Sequence, residues 1–283
     1  MTVPSPFDLV VKAGALRAST HPRVFHGSTA PTDVGHARQV AGSATLVRRV
    51  STTSLKFLTG TELFAMEQIR KRCPQKDFVL DLGCGEPDLL NLMANSMFFP
   101  RILGVDINAV SLSRYGNVKH WLGVLADATQ PLDFLKPKRF SVAIVMEVLE
   151  HLSPEDGAAI LKHAHTALQP EGSLVLTVPT LPPGVSLDME EEVQKWGHIT
   201  YYTSEELQEA VKVAGFALEH LSYGIFVGRR VQAKTVREAF SKRWPVELFD
   251  TLADTWSPGI AAAFFSNCAG PAGGHVRIVA RRA

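Results

Sequence analysis

The chain has 283 residues, 46% of them hydrophobic, and a formal net charge of +1. This length is enough to bury a full core in one large domain with appendages. The near-neutral charge excludes a general electrostatic attraction to nucleic acid, because proteins that bind nucleic acid in that way carry a basic excess or patch. The three cysteines lack the spacing of a zinc site and fit a reducing compartment, so the sequence predicts a cytoplasmic protein.

Residues 1–57 form a basic N-terminal extension that we predict to be partly disordered or to act as a lid. Seven lysines and arginines stand there against two aspartates, among many serines and threonines. Acid-poor leaders of this kind can be organellar transit peptides, which gives an alternative location. Apolar residues such as Phe7 and Leu9 favour packing over cleavage. No apolar run is long enough to span a membrane, so no membrane partner is expected.

From about residue 60 to 223, strand and helix patterns alternate, which is typical of an α/β fold with a doubly wound, mostly parallel sheet. Seven strands are predicted, near 77–82, 101–107, 119–125, 139–146, 172–178, 216–223 and 275–281. Helices are predicted near 61–72, 88–96, 108–115 and 155–168, and another begins at Thr203 with Ser204 and Glu206 as cap-type residues. One domain would therefore span 58–283, with a helical insertion at 229–270 that covers the acceptor site.

Within this pattern, residues 79–90 run from an apolar strand into a glycine-containing turn, Val-Leu-Asp-Leu-Gly-Cys-Gly-Glu-Pro-Asp-Leu-Leu. Gly83 and Gly85 can adopt positive φ and let a ligand approach the backbone. A dinucleotide-binding loop has a third glycine where Asp88 stands here, and carboxylates at Glu86 and Asp88 would repel a pyrophosphate. They suit a positively charged ligand, such as S-adenosylmethionine with its sulfonium and ammonium groups.

This segment resembles motif I of the class I S-adenosylmethionine-dependent methyltransferases, which have a Rossmann-like seven-stranded fold. The resemblance implies that Asp81 lies near the methionine moiety, although Pro87 replaces a glycine that is usual in the family. Asp106 ends the second strand, where a carboxylate can accept both ribose hydroxyls. The predicted cofactor-binding residues are Asp81, Gly83, Cys84, Gly85, Asp106, Ile107 (stacked on adenine), Asp127 and Ala128 (near the adenine amino group) and Glu147.

The catalytic candidates begin where the fourth strand stops, in Met-Glu-Val-Leu-Glu-His-Leu at 146–152. If this segment is helical, Glu147, Glu150 and His151 share a face. A second histidine, His198, precedes the helix that starts at Thr203. His151, His198 and Glu150 are the predicted catalytic residues, with His151 or His198 as the general base on a hydroxyl of a small-molecule acceptor.

Two alternatives remain open. Glu147, Glu150, His151 and His198 resemble the metal site of the small-RNA 3′-terminal 2′-O-methyltransferases, which implies Mg²⁺ or Mn²⁺ and an RNA 3′ end as acceptor. Similarity to these enzymes covers roughly residues 78–207, but Val-Pro-Thr-Leu-Pro-Pro-Gly replaces their Pro-Asn segment after the fifth strand, which favours a small molecule. The domain could instead bind the cofactor as a non-catalytic regulatory subunit, an alternative that Pro87 favours and the series of strand-end acids disfavours.

Overall fold

The computed structural model describes residues 9–12, 23–26, 60–74, 77–85, 100–113, 120–180, 197–225 and 274–283. Its strands are β1 (Arg23–His26), β2 (Phe78–Leu82), β3 (Arg101–Asp106), β4 (Trp121–Leu125), β5 (Phe140–Met146), β6 (Leu168–Pro179), β7 (Phe216–Ile225) and β8 (Gly274–Arg282). Its α-helices are α1 (Gly60–Arg72), α2 (Ala109–Ser113), α3 (Pro154–Ala167) and α4 (Ser204–Val213), and a 3-10 turn spans Leu149–His151. The helix predicted near 88–96 and the insertion predicted at 229–270 lie outside these residues.

The strands form one sheet in the order β1-β4-β3-β2-β5-β6-β8-β7. Strands β2 to β6 are parallel, β8 lies antiparallel between β6 and β7, and β1 pairs antiparallel with β4. All seven predicted strands are present, which confirms the α/β fold class. The sequence did not predict β1, because four residues among serine, threonine and proline give no alternating pattern.

Part of the N-terminal extension packs against this sheet. Val10 and Val11 are buried in the apolar core. The backbone N–H of Lys12 donates to the carbonyl of Phe134 at 2.8 Å, and the N–H of Lys136 donates to the carbonyl of Val10 at 2.7 Å. These contacts make residues 10–12 a structural part of the domain.

Apolar side chains cover both faces of the sheet, as a parallel sheet requires. Helices α3 and α4 contribute to one layer of the core, through residues such as Ile160 and Leu207. Helix α1 contributes to the other through Phe64 and Ile69. None of the helices in the described part of the chain is long and apolar enough to cross a membrane.

Helix caps fix where the chain leaves the sheet. At α4 the Thr203 side chain accepts the backbone N–H of Glu206, and the Glu206 carboxylate accepts the N–H of Thr203, which confirms the predicted start. The strand order reverses between β2 and β5, and their carboxyl ends are the place where open α/β sheets bind ligands. The fold therefore directs attention to the edge formed by the ends of β2 to β6.

Candidate active site

The turn after β2 packs closely against the chain segment that follows β5. Gly83 and Gly85 have φ of +76° and +50°. The N–H groups of Gly83 and Cys84 donate to the carbonyl of Val105, at 2.8 and 3.2 Å. A Cβ on Gly83 would lie 2.5 Å from Cγ2 of Val148, whereas among the described residues the nearest atom to a Cβ on Gly85 would be the carbonyl oxygen of Gly83, at 3.9 Å. Gly83 thus lets residues 83–85, called the cofactor turn after their predicted role, pack directly on the segment that follows β5.

Asp106 ties this turn to β3. Its Oδ2 accepts the N–H of Gly85 at 2.8 Å, and its Oδ1 accepts the N–H of Asn108 at 2.7 Å. Each carboxylate oxygen can accept further hydrogen bonds, which is what a ribose diol would require. The next side chain, Ile107, is 73% exposed. The two predicted cofactor residues therefore lie as neighbours at the edge.

Asp81, by contrast, is buried at the end of β2. Burial, and next the negative charge of Asp106, raise the pKa of Asp81 to about 7. The two predicted acids thus interact electrostatically, and one of them holds a proton at slightly acidic pH. A cationic ligand near Asp81 would favour the ionised form of that carboxyl.

Asp127 and Ala128 lie just past β4. Oδ1 of Asp127 accepts the backbone N–H of Thr129 at 2.9 Å and the hydroxyl of Thr129 at 2.7 Å. The Ala128 carbonyl accepts Nδ1–H of His163 at 2.9 Å, and Ala128 itself is nearly buried. The loop that would face adenine is therefore fixed by local contacts and by α3.

Glu147 does not continue β5 into a helix. Its φ is +56°, and its N–H donates to the carbonyl of Thr177 at 3.0 Å. Nε2 of buried His275 lies 2.7 Å from both carboxylate oxygens, and the Thr177 hydroxyl donates to Oε1 at 2.7 Å. Burial would raise the pKa of Glu147, but the charge and hydrogen bond of His275, the Thr177 hydrogen bond and the charge of Arg277 together lower it. Glu147 is therefore a carboxylate held by β6 and β8, and it does not share a helical face with Glu150 and His151.

The 3-10 turn after Glu147 is fastened to residues 197–200. The N–H groups of Ile199 and Thr200 donate to the carbonyl of Glu150, at 2.8 and 3.1 Å. The Thr200 hydroxyl donates to the carbonyl of Leu152 at 2.6 Å. Three hydrogen bonds thus join two segments that are distant in sequence, and they bring the two predicted catalytic histidines together.

The rings of His151 and His198 lie with centroids 4.9 Å apart. Nδ1 of His151 is 3.0 Å from the carbonyl of Gly197, which can only accept a hydrogen bond, so Nδ1 carries the proton. Nε2 of neutral His151 is consequently the basic nitrogen. Nδ1 of His198 is hydrogen-bonded to the hydroxyl of Tyr201 at 2.9 Å. The arrangement provides one oriented proton acceptor beside a second imidazole.

The buried side chain of Glu150 lies beside the His151–His198 pair. Its side chain is 1% exposed, and Oε1 lies 3.9 Å from Nε2 of His151. Within the described residues, Oε2 has no hydrogen-bond partner. Burial, and next the charge of Glu147, raise the pKa of Glu150 well above its ordinary value. One ligand-type atom from each of Glu150, His151 and His198 lies within 4.8 Å of the others, and Glu147, with its carboxylate turned to His275, is not in this group.

Sequence reasoning missed the contribution of β8. The sequence pattern predicts His275 and Arg277 only as part of a last strand, and Thr177 only as part of the strand at 172–178. No spacing in the sequence indicates that position 275 meets position 147, because the contact depends on β8 lying beside β6. The signal that was available is a histidine and an arginine within a predicted strand, since both residue types are uncommon in protein interiors.

Comparison with known proteins gives a family match over much of this fold. The family model described as a methyltransferase domain matches residues 61–221, which is more than half of the chain. Comparison with curated protein sequences finds no match.

Among solved structures, three similar folds illustrate the range. Phosphoethanolamine N-methyltransferase 2 of Haemonchus contortus, solved with S-adenosyl-L-methionine, has a TM-score of 0.50 and 17% identity, over 76% of this chain and 51% of that one. The chain thus spans about half the length of that enzyme. A geranyl diphosphate C-methyltransferase of Streptomyces coelicolor has a TM-score of 0.51 and 15% identity, covering 78% and 79%. An S-adenosylmethionine-dependent methyltransferase of Mesorhizobium loti has a TM-score of 0.51 and 20% identity, covering 78% and 98%.

Proposed function

The chain belongs to the class I S-adenosylmethionine-dependent methyltransferase family, and we propose that it transfers the methyl group of S-adenosylmethionine to a hydroxyl oxygen of a small-molecule acceptor. The observation that carries this proposal is the oriented Nε2 of His151, beside His198, at the same sheet edge as the glycine turn. An imidazole nitrogen that is free to accept a proton is suited to act as the general base on a hydroxyl acceptor. A cytoplasmic location stays a prediction.

The cofactor would lie over the ends of β2, β3 and β4. Asp106 would accept the ribose hydroxyls, and exposed Ile107 would stack on the adenine ring. The Asp127 carboxylate would accept a hydrogen bond from the adenine amino group. Asp81 would form an ion pair with the ammonium of the methionine moiety. Gly83, Cys84 and Gly85 supply the backbone against which the methionine moiety packs.

In the transfer step, Nε2 of His151 takes the acceptor's hydroxyl proton while the oxygen attacks the methyl carbon. The carbon–sulfur bond breaks, and S-adenosylhomocysteine leaves. Holding the oxygen in line with the methyl carbon supplies most of the acceleration, since proximity and orientation can contribute about 7 to 11 kcal/mol. The imidazolium that forms lies 3.9 Å from Oε1 of Glu150, where ionisation of that carboxyl would stabilise it.

The first test is calorimetric titration of the purified protein with S-adenosylhomocysteine. Asp106→Asn is the matched variant, because it keeps the shape of the side chain and removes its charge. We expect the wild type to bind and the variant to bind at least about tenfold more weakly, the loss typical of a charged hydrogen bond. Wild-type protein that fails to bind S-adenosylhomocysteine would refute the proposed cofactor site.

The acceptor is tested separately, with a panel of hydroxylated small molecules and radiolabelled S-adenosylmethionine. Methyl transfer to oxygen that is lost in His151→Gln would support the proposal. Transfer to nitrogen or carbon would contradict the proposed acceptor atom while leaving the family assignment in place. Binding of S-adenosylhomocysteine without turnover of any acceptor would favour the alternative of a non-catalytic cofactor-binding subunit.

A second candidate is metal-dependent 2′-O-methylation of an RNA 3′ end. The observation that favours it is the cluster of Glu150, His151 and His198, whose ligand-type atoms lie within 4.8 Å of one another. The buried Oε2 of Glu150, which has no hydrogen-bond partner in the described part of the chain, fits a site that a cation would complete. A bound Mg²⁺ or Mn²⁺ would lower the pKa of an acceptor hydroxyl.

The two candidates differ in their response to metal. Repeating the transfer assay with EDTA, Mg²⁺ and Mn²⁺, and with a short RNA as acceptor, separates them. Turnover in EDTA would contradict the metal-dependent candidate. Turnover that requires metal and falls in Glu150→Gln, with a preference for the RNA, would replace the small-molecule proposal.

A further inference from the structure

We propose that His275 is a positioning residue for methyl transfer, which holds Glu147 at the junction between the cofactor turn and the histidine pair. The inference rests on the proposed function, because it concerns the same sheet edge. It assigns a role to β8, a strand that contains none of the proposed cofactor-binding residues and neither candidate base.

His275 lies near the start of β8, which is antiparallel to its neighbours, so that its N-terminal end meets the carboxyl ends of β5 and β6. The side chain is fully buried. Nε2 lies 2.7 Å from Oε1 and 2.7 Å from Oε2 of Glu147. A carboxylate can only accept, so Nε2–H is the donor, and the histidine binds the carboxylate at both oxygens.

This contact coincides with an unusual backbone conformation. Glu147 is a non-glycine residue with φ of +56°. Such a conformation costs free energy and persists only where the surroundings impose it. The surroundings here are the two contacts to His275, the hydroxyl of Thr177 and the backbone bond from Glu147 N–H to the Thr177 carbonyl. Together they define the direction in which the chain leaves β5.

That direction serves both halves of the site. The residue after Glu147 is Val148, which packs so closely on Gly83 that a Cβ there would lie 2.5 Å from its Cγ2. The 3-10 turn then follows with Glu150 and His151. A change in the φ of Glu147 would move Val148 from the cofactor turn and His151 from its hydrogen bond to Gly197. The geometry thus makes His275 act on the reaction through Glu147, without touching a reactant.

The test compares His275→Leu, which removes the donor, with His275→Gln, whose amide can still donate to Glu147. We expect His275→Leu to weaken S-adenosylhomocysteine binding about tenfold or more and to lower kcat, and His275→Gln to restore part of both. His165→Leu is the control, because His165 packs on Phe216 at the opposite edge of the sheet, with ring centroids 5.2 Å apart. It should leave S-adenosylhomocysteine affinity unchanged.

A double-mutant cycle makes the inference specific. Glycine adopts positive φ without strain, so in a Glu147→Gly background the backbone no longer depends on His275. Changing His275 to Leu should then cost little further affinity, and the effects of the two single changes should not add. Additive effects would overturn the proposal, because they would mean that His275 acts independently of Glu147.

Nuclear magnetic resonance of the His151 side chain supplies a readout that a general loss of stability would not change. The chemical shift of the His151 Nδ1–H proton, which donates to the Gly197 carbonyl, should change in folded His275→Leu. In His275→Gln it should stay near the wild-type value. If His275→Leu does not fold, Thr177→Val removes a second donor to Glu147 with little change in volume and should shift the same signal less. A His151 Nδ1–H signal that is unshifted in folded His275→Leu or, if that variant does not fold, in Thr177→Val would overturn the proposal. Failure of wild-type protein to bind S-adenosylhomocysteine would instead refute the proposed function.

Discussion

The two halves of the candidate site are built in different ways. On the proposed cofactor side, Asp106 and Asp127 contact backbone in their own turn or in the neighbouring strand's turn. On the proposed transfer side, Glu147 is held by His275, 128 residues away, and His151 by Gly197, 46 residues away. The cofactor side can therefore form from local strand-turn units, whereas the transfer side exists only once the distant strands of the sheet have assembled.

Both halves nevertheless share one electrostatic feature, a buried acid whose pKa is raised by burial and by a neighbouring acid. On the proposed cofactor side, burial and the charge of Asp106 raise the pKa of Asp81. On the proposed transfer side, burial and the charge of Glu147 raise the pKa of Glu150. What differs is how the neighbouring acid is held, since Asp106 accepts backbone N–H groups and Glu147 binds a buried histidine. Buried acids with perturbed pKa values are typical of functional sites.

The largest expected effect separates the two halves by function. Replacing His151 with glutamine removes the basic Nε2, and we expect kcat to fall by about 10² to 10⁴-fold, the contribution typical of a general base. S-adenosylhomocysteine affinity should stay within error, because His151 belongs to the transfer side alone. Steady-state kinetics and calorimetry measure the two quantities. His198→Gln, tested in parallel, shows which imidazole is the base. A loss of S-adenosylhomocysteine affinity as large as the loss of kcat, in either variant, would contradict the division into a cofactor side and a transfer side.

The second expected effect tests a contact between the two halves. In Gly83→Ala the new Cβ would lie 2.5 Å from Val148 at a φ of +76°, so strain and overlap add. We expect a loss of unfolding free energy of about 2 to 6 kcal/mol, combining backbone strain with overpacking. Gly85→Ala also places alanine at positive φ, but no atom of the described residues lies nearer than 3.9 Å to the new Cβ, so we expect only the backbone strain of about 1 to 3 kcal/mol.

Denaturant unfolding measures both Gly83→Ala and Gly85→Ala. The double variant of Gly83→Ala with Val148→Ala removes the overlapping methyl groups and should recover part of the loss. If the two glycine variants were equally unstable, contact with Val148 would not be the reason that position 83 is glycine.

The contrast between the halves also explains how far the sequence could be interpreted. The Asp81 to Gly85 turn and Asp106 were predicted because each follows a buried strand within a few residues, and strand ends of a parallel sheet share an edge. The start of α4 was predicted from its capping box. The conformation of Glu147 was not predicted, since a sequence of helix formers gave no indication that His275 and Thr177 would hold the residue at positive φ. The proximity of His151 and His198 likewise depends on hydrogen bonds between separate segments.

The last expected effect concerns the proton on Asp81, whose pKa is raised to about 7 by burial and by the charge of Asp106. The ammonium of S-adenosylhomocysteine would favour the carboxylate, so binding requires loss of this proton below pH 7. Affinity should therefore rise as pH rises from 5 to 7, by up to about tenfold per unit, and level off above pH 7. Calorimetry across this range measures the slope, and buffers of different ionisation enthalpy report the released proton. In Asp81→Asn the slope should vanish, because no proton is left to lose, while a wild-type affinity independent of pH would place the ammonium away from Asp81.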